Sequence, residues 1–113
     1  MEINESHIET GHPKNLNLNV KVSCLTRTSI YSSFKIGITC DPYKRRDAYV
    51  LHSTRFTEMV LIYQTDSISY AKLVENELTS YHDHIDENDN KIKGGGGNYG
   101  LPPYYVYVVR QKI

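Results

Sequence analysis

Lys35-Ile36-Gly37-Ile38-Thr39-Cys40-Asp41-Pro42-Tyr43-Lys44-Arg45-Arg46-Asp47-Ala48-Tyr49 is the stretch on which the reading of the fold turns. Its first part alternates: Phe34, Ile36 and Ile38 fall on one face of a strand, and Lys35, Gly37 and Thr39 fall on the other. Asp41 then stands where a helix wants an N-cap, and Pro42 stands at a first helical position, where a missing N–H costs nothing. A helix over about Pro42 to Ser53 puts Arg45 and Tyr49 one turn apart on a shared face, which His52 extends. A cation, a phenol and a strand floored by glycine make a candidate phosphate site.

Working outward, Leu16, Leu18, Val20, Val22 and Cys24 alternate with Asn17, Asn19, Lys21 and Ser23. That pattern predicts a half-buried strand, turning through Leu25 to Ser33 into an antiparallel partner at Phe34–Thr39. The first fifteen residues, with Gly11, His12 and Pro13, read as a loose arm. A third strand is expected at about Thr57 to Gln64. A second helix opens at Asp66 or Ser67, carries a core stripe of Ala71, Val74, Leu78, Tyr81 and Ile85, and ends near His84. A polar, glycine-rich loop over 86–100 and a final strand at Tyr104–Val109 complete the chain. The expected class is α/β (α+β): a small, mainly antiparallel central sheet flanked by helices, in the order β-β-α-β-α-loop-β.

At 113 residues the chain suits a single domain with one core. Its 39% hydrophobic and 23% charged residues are ordinary for a soluble globular protein. No apolar run approaches the ~20 residues of a membrane span, and Met1-Glu2-Ile3-Asn4-Glu5 lacks the start of a secretory signal, so no membrane partner is expected. Two cysteines, Cys24 and Cys40, fit an intracellular, reducing compartment, with a bridge between them left open. The net charge of zero argues against nucleic-acid binding by bulk electrostatics. Lys44, Arg45, Arg46 and Arg55 nevertheless cluster around the first helix, enough to hold one phosphate.

In order and spacing these elements resemble the GIY-YIG nuclease family, over about Lys21 to Asn90. Lys35-Ile36-Gly37 stands in the place of the second tripeptide, Tyr-Ile-Gly. Arg45 falls at the distance of the family's arginine, and Tyr49 falls four later, where the family has His or Tyr. Ala71-Lys72-Leu73-Val74-Glu75-Asn76-Glu77-Leu78 is similar to the helix around the family's metal-binding glutamate. Glu75 and Glu77 both border the apolar stripe, and only the family register selects Glu75. Two departures stand out. The first tripeptide's tyrosine is missing, because counting back reaches Lys21-Val22-Ser23 or Val22-Ser23-Cys24, while Tyr31 lies nearer. Lys35 also replaces the second tyrosine.

The resemblance implies a metal-dependent endonuclease hydrolysing phosphodiesters in DNA, with structured DNA or RNA also open. Arg45, Tyr49, Glu75 and Lys35 would be catalytic, and Glu75 would ligate Mg²⁺ or Mn²⁺. Lys44, Arg46, Gly37 and His52 would contact nucleic acid, and a protein partner could supply specificity. The general base is left unassigned. Lys35 reads first as a surface lysine, and as a proton relay only if it replaces the lost phenol. The second reading is a catalytically decayed scaffold that binds nucleic acid or protein. His82, Asp83, His84 and Asp86 are metal ligands by type, but neighbours one and two apart diverge on a helix, so a surface helix end is expected there. Gly94–Gly97 lack the Gly-Lys-Ser/Thr of a phosphate loop. Either Asn90 or Asn98 could match the asparagine that family members carry after the second helix.

Overall fold

A computed structural model describes residues 1–26, 31–52, 55–82 and 100–112. The chain is α+β: strands β1 (Glu2–Asn4), β2 (Tyr31–Thr39), β3 (Glu58–Thr65) and β4 (Tyr104–Lys112), with helices α1 (Leu18–Thr26), α2 (Pro42–His52) and α3 (Ile68–His82). The sheet order is β1-β3-β4-β2. β4 runs antiparallel to both β2 and β3, and β1 runs parallel to β3, so the sheet is mixed. The last strand of the chain therefore lies between β2 and β3, which α2 connects.

The expected first strand is a helix. Leu18, Val22, Leu25 and Thr26 are buried, at intervals of four, three and one, while Val20 and Cys24 face solvent. The segment satisfies both a two-residue and a 3.6-residue repeat, and the sheet decides between them, because β4 already occupies the antiparallel place beside β2. Thr26 Oγ1 donates to the Val22 carbonyl at 2.7 Å inside the last turn. Arg110 on β4 ties that turn to the sheet: its Nη1 donates to the Leu25 carbonyl at 2.6 Å, and its Nε donates to Glu58 at 2.7 Å.

The N-terminal fifteen residues are also built in rather than loose. Glu2, Ile3 and Asn4 pair with Glu58, Met59 and Val60. Glu9 exchanges backbone hydrogen bonds with Ile62 and Gln64, and a 3-10 turn follows at Pro13–Asn15. The Tyr63 hydroxyl donates to the Gly11 carbonyl at 2.5 Å and holds this segment against the sheet. Sequence periodicity could not show this, because the pairing strand is only three residues long.

One sheet face, with Phe34, Ile36, Ile38, Val60, Ile62, Val106 and Val108, packs under α1 and α3. Each aliphatic side chain fully buried there contributes about 1.5–3 kcal/mol relative to exposure. The opposite face carries a smaller cluster of Phe56, Met59, Leu61, Tyr107 and Val109, against which Ile3, Ile8 and Tyr49 pack. A bulge in β3 sets Leu61 opposite Tyr107 and Tyr63 opposite Val106, leaving Ile62 as the extra residue. Both Ile62 and Tyr63 are thereby buried. Among the described residues no helix is long and apolar enough to cross a membrane, and Cys24 and Cys40 are free thiols. The glycine-rich stretch, Asp83, His84, Asp86, Asn90 and Asn98 lie outside the described residues.

Candidate active site

The turn from β2 into α2 is held as its sequence demands. Asp41 Oδ1 accepts the Lys44 backbone N–H at 3.0 Å, and the Asp41 carbonyl accepts that of Arg45 at 3.0 Å. Thr39 Oγ1 braces the cap by accepting the Asp41 N–H at 3.0 Å. Pro42 is buried at the helix start, and the next turn carries Arg45 and Tyr49 back over the sheet. Tyr49 is half-buried, its ring edge-on to Phe56 and to Tyr107 at centroid distances of 5.7 and 6.1 Å.

Tyr107, from the middle of β4, is the centre of this arrangement and the residue that sequence reasoning missed. Its hydroxyl accepts from Arg45 Nη1 at 3.3 Å and shares a hydrogen bond with the Tyr49 hydroxyl at 2.9 Å. It sits opposite Gly37, and its phenol fills the space that a side chain at position 37 would need. The glycine's open face is thus occupied from within the protein. The signal available in the sequence was alternation: Tyr105, Tyr107 and Val109 share the face of Lys35, Gly37 and Thr39. Nothing in that pattern says which tyrosine meets α2.

Glu75 is buried, 3% exposed, and Glu77 is exposed, so the structure separates the two candidates that the helix pattern left equal. The buried face of α3 is Ala71, Val74, Glu75, Leu78, Thr79 and His82, displaced from the expected stripe, and Tyr81 is half-exposed. Glu75 Oε1 is buried with no hydrogen-bond partner among the described residues. Burial pushes its carboxyl up to about 7, and the positive charges of Arg45 and Lys72 pull it back. Burial likewise raises the Tyr49 phenol, opposed by the hydrogen bond from Tyr107 and the charge of Arg45; the Glu75 carboxylate raises it further. Burial, with Tyr49 alongside, carries the Tyr107 phenol well above the ordinary range. Arg45, Tyr49, Tyr107 and Glu75 therefore form one electrostatically connected group.

The other expected residues are less closely joined to it. Lys35 shares the sheet face of Gly37, opposite Val109, and is half-buried. Among the described residues no hydrogen bond or ion pair links it to the group. Lys44 and His52 are exposed on α2. Arg46 lies over the Tyr43 ring at 5.5 Å, and its Nε pairs with Asp47 at 3.1 Å. His82 is not at a surface helix end: it is fully buried, edge-on to Phe34 at 6.0 Å.

Such a set can neutralise an anionic oxygen through Arg45, present a phenol through Tyr49, and offer a carboxylate to a cation through Glu75. Among the described residues no three His, Cys, Asp or Glu side chains come together as a metal cluster. Comparison with protein-family models, curated proteins and solved structures finds no match for this chain.

Proposed function

We propose that the chain is a metal-dependent endonuclease of the GIY-YIG kind, hydrolysing phosphodiester bonds in DNA. The observation that carries this reading is the convergence in one electrostatic group of Arg45, Tyr49 and the buried Glu75 carboxyl, whose Oε1 has no hydrogen-bond partner among the described residues. A carboxylate oxygen buried without a hydrogen bond is costly, and a divalent cation is a partner that would repay the cost. Perturbed groups of this kind gather at functional sites more often than elsewhere. The resemblance now rests on β2 through α3, because the strand expected ahead of them is helical.

In this reading Glu75 would hold Mg²⁺ or Mn²⁺, with phosphate oxygens and waters completing the shell. Bound there, the ion supplies Lewis-acid charge at the phosphate. Arg45 stabilises the negative charge that grows on the phosphoryl oxygens, its guanidinium anchored by the Tyr107 phenol. Tyr49 lies at the edge of the group and is the phenol able to meet a substrate oxygen. Lys44 and Arg46 lie on the same helix and would steer the strand to which that phosphate belongs. A partner protein would supply site choice.

Cleavage of linear, supercoiled and branched DNA and of RNA, with Mg²⁺ or Mn²⁺, tests the proposal. Metal-dependent cleavage that is lost in Glu75→Ala and Arg45→Ala is expected. Cleavage that survives Glu75→Ala would remove the metal assignment. Binding without cleavage by the wild type would instead favour a decayed binding module, a reading that the missing N-terminal tyrosine supports.

A further inference from the structure

The hydrogen bonds around Tyr107 have a direction, and that direction fixes what Tyr49 can do. Arg45 has no acceptor, so in its contact with Tyr107 the guanidinium donates and the phenol oxygen accepts. Tyr107 is 1% exposed, so its own O–H must find a partner inside the protein. The Tyr49 oxygen, 2.9 Å away, is the acceptor within reach among the described residues. The opposite arrangement, with Tyr49 donating inward, would leave a buried hydroxyl proton unsatisfied. We infer that Tyr107 is a positioning residue that donates to Tyr49, so that the chain Arg45 to Tyr107 to Tyr49 turns the Tyr49 hydroxyl proton outward, as a hydrogen-bond donor to an anionic oxygen of the substrate.

The assignment rests on the nuclease reading only for the identity of that oxygen, a phosphate or leaving-group oxygen of the scissile diester. Tyr49 then acts as a donor and not as the base that activates water. Successive donors in one sense polarise each other, so the outward O–H of Tyr49 is a stronger donor than an isolated phenol. Gly37 is part of the device. Any side chain at that position would push the Tyr107 phenol away from both partners. Tyr107 reaches this place from the last strand of the chain, which lies between β2 and β3.

The sign of one shift tests the hydrogen bond from Tyr107. Tyr49 meets Tyr107 on β4, has the Phe56 ring edge-on to it, and feels the charges of Arg45 on its own helix and Glu75 on α3. In ring-labelled protein, ¹³C NMR follows the onset of Tyr49 ionisation in the wild type and in Tyr107→Phe, which keeps the ring over Gly37. A donor that is lost moves the onset up. An onset that moves down or stays put means that Tyr107 gives Tyr49 no hydrogen bond, and overturns the inference. The second measurement is cleavage. Tyr107→Phe should lower kcat about tenfold with KM unchanged, and should do nothing further in a Tyr49→Phe background. Additive losses would show that Tyr107 does not act through Tyr49. If the wild type cleaves no substrate, the nuclease reading fails while the NMR shift still tests the hydrogen bond from Tyr107.

Discussion

Tyr107 lies across Gly37 on the neighbouring strand, so close that a β-carbon on residue 37 would overlap the phenol oxygen and the ring carbon that bears it. Gly37→Ala must therefore move a ring that is buried on all sides. A cost of about 1–3 kcal/mol is expected in urea unfolding, the range for overpacking a closed core. The same substitution in a Tyr107→Ala background should cost less, because the space is then empty. Equal costs in the two backgrounds would mean that Tyr107 is not what excludes a side chain from position 37.

Glu75 links stability to pH in the unfavourable sense. Its carboxyl is raised from the usual 4.5 to about 7 by burial, so between these values the folded protein holds a proton that the unfolded chain has lost. Stability from this group is present in full below about pH 4.5 and is lost as pH rises through about 7. Glu75→Gln keeps the shape and never ionises. Its unfolding free energy should match the wild type in acid and exceed it at pH values above 7, by up to about 3 kcal/mol. A Gln variant no more stable than wild type in alkali would place Glu75 in water. Such a gain on removing a site carboxylate is the familiar opposition of activity and stability.

Saturating Mg²⁺ should act on the same group from the other side. A cation held by Glu75 needs the ionised carboxylate, so binding expels the proton and raises stability above pH 7 more than below it. Thermal midpoints with and without Mg²⁺ check this, and the metal should have no such effect on Glu75→Gln. A midpoint shift that persists in Glu75→Gln would locate the cation elsewhere.

The strand-cap-helix stretch from Phe34 to His52 was legible because each signal is local: alternation, an Asp cap and a Pro at the first helical position. Segment 18–26 was not, since Leu18, Val22 and Leu25 serve a helix while Leu18, Val20 and Val22 serve a strand. Only the placement of β4 beside β2 settles it, and that pairing joins residues some seventy positions apart. Tyr107 was hidden for the same reason. The two periods also make opposite claims about Val20 and Val22. Val22→Asp should unfold the protein, because it would put an unpaired charge into the core, whereas Val20→Asp, at a position 56% exposed, should stay within about 0.5 kcal/mol of wild type by urea unfolding. Equal damage at both positions would restore the strand.

Arg45 is asked to do two things, to hold the Tyr107 phenol and to set the field at Glu75. Lysine carries the same charge but not the planar fork, and its ammonium cannot reproduce the guanidinium's reach to the phenol while facing a phosphate. Arg45→Lys should therefore keep nucleic-acid binding within a few-fold and lose cleavage by about 10²-fold, the usual loss when one oriented donor goes. Arg45→Ala should weaken binding as well. It should also let the Glu75 carboxyl titrate above its value of about 7, since the larger of the two downward pulls is gone. Carboxyl ¹³C NMR on the two variants separates the functions. If Arg45→Lys restores the wild-type titration of Glu75 yet not cleavage, charge and orientation are distinct contributions. If Glu75 titrates alike in all three proteins, Arg45 and Glu75 do not belong to one site.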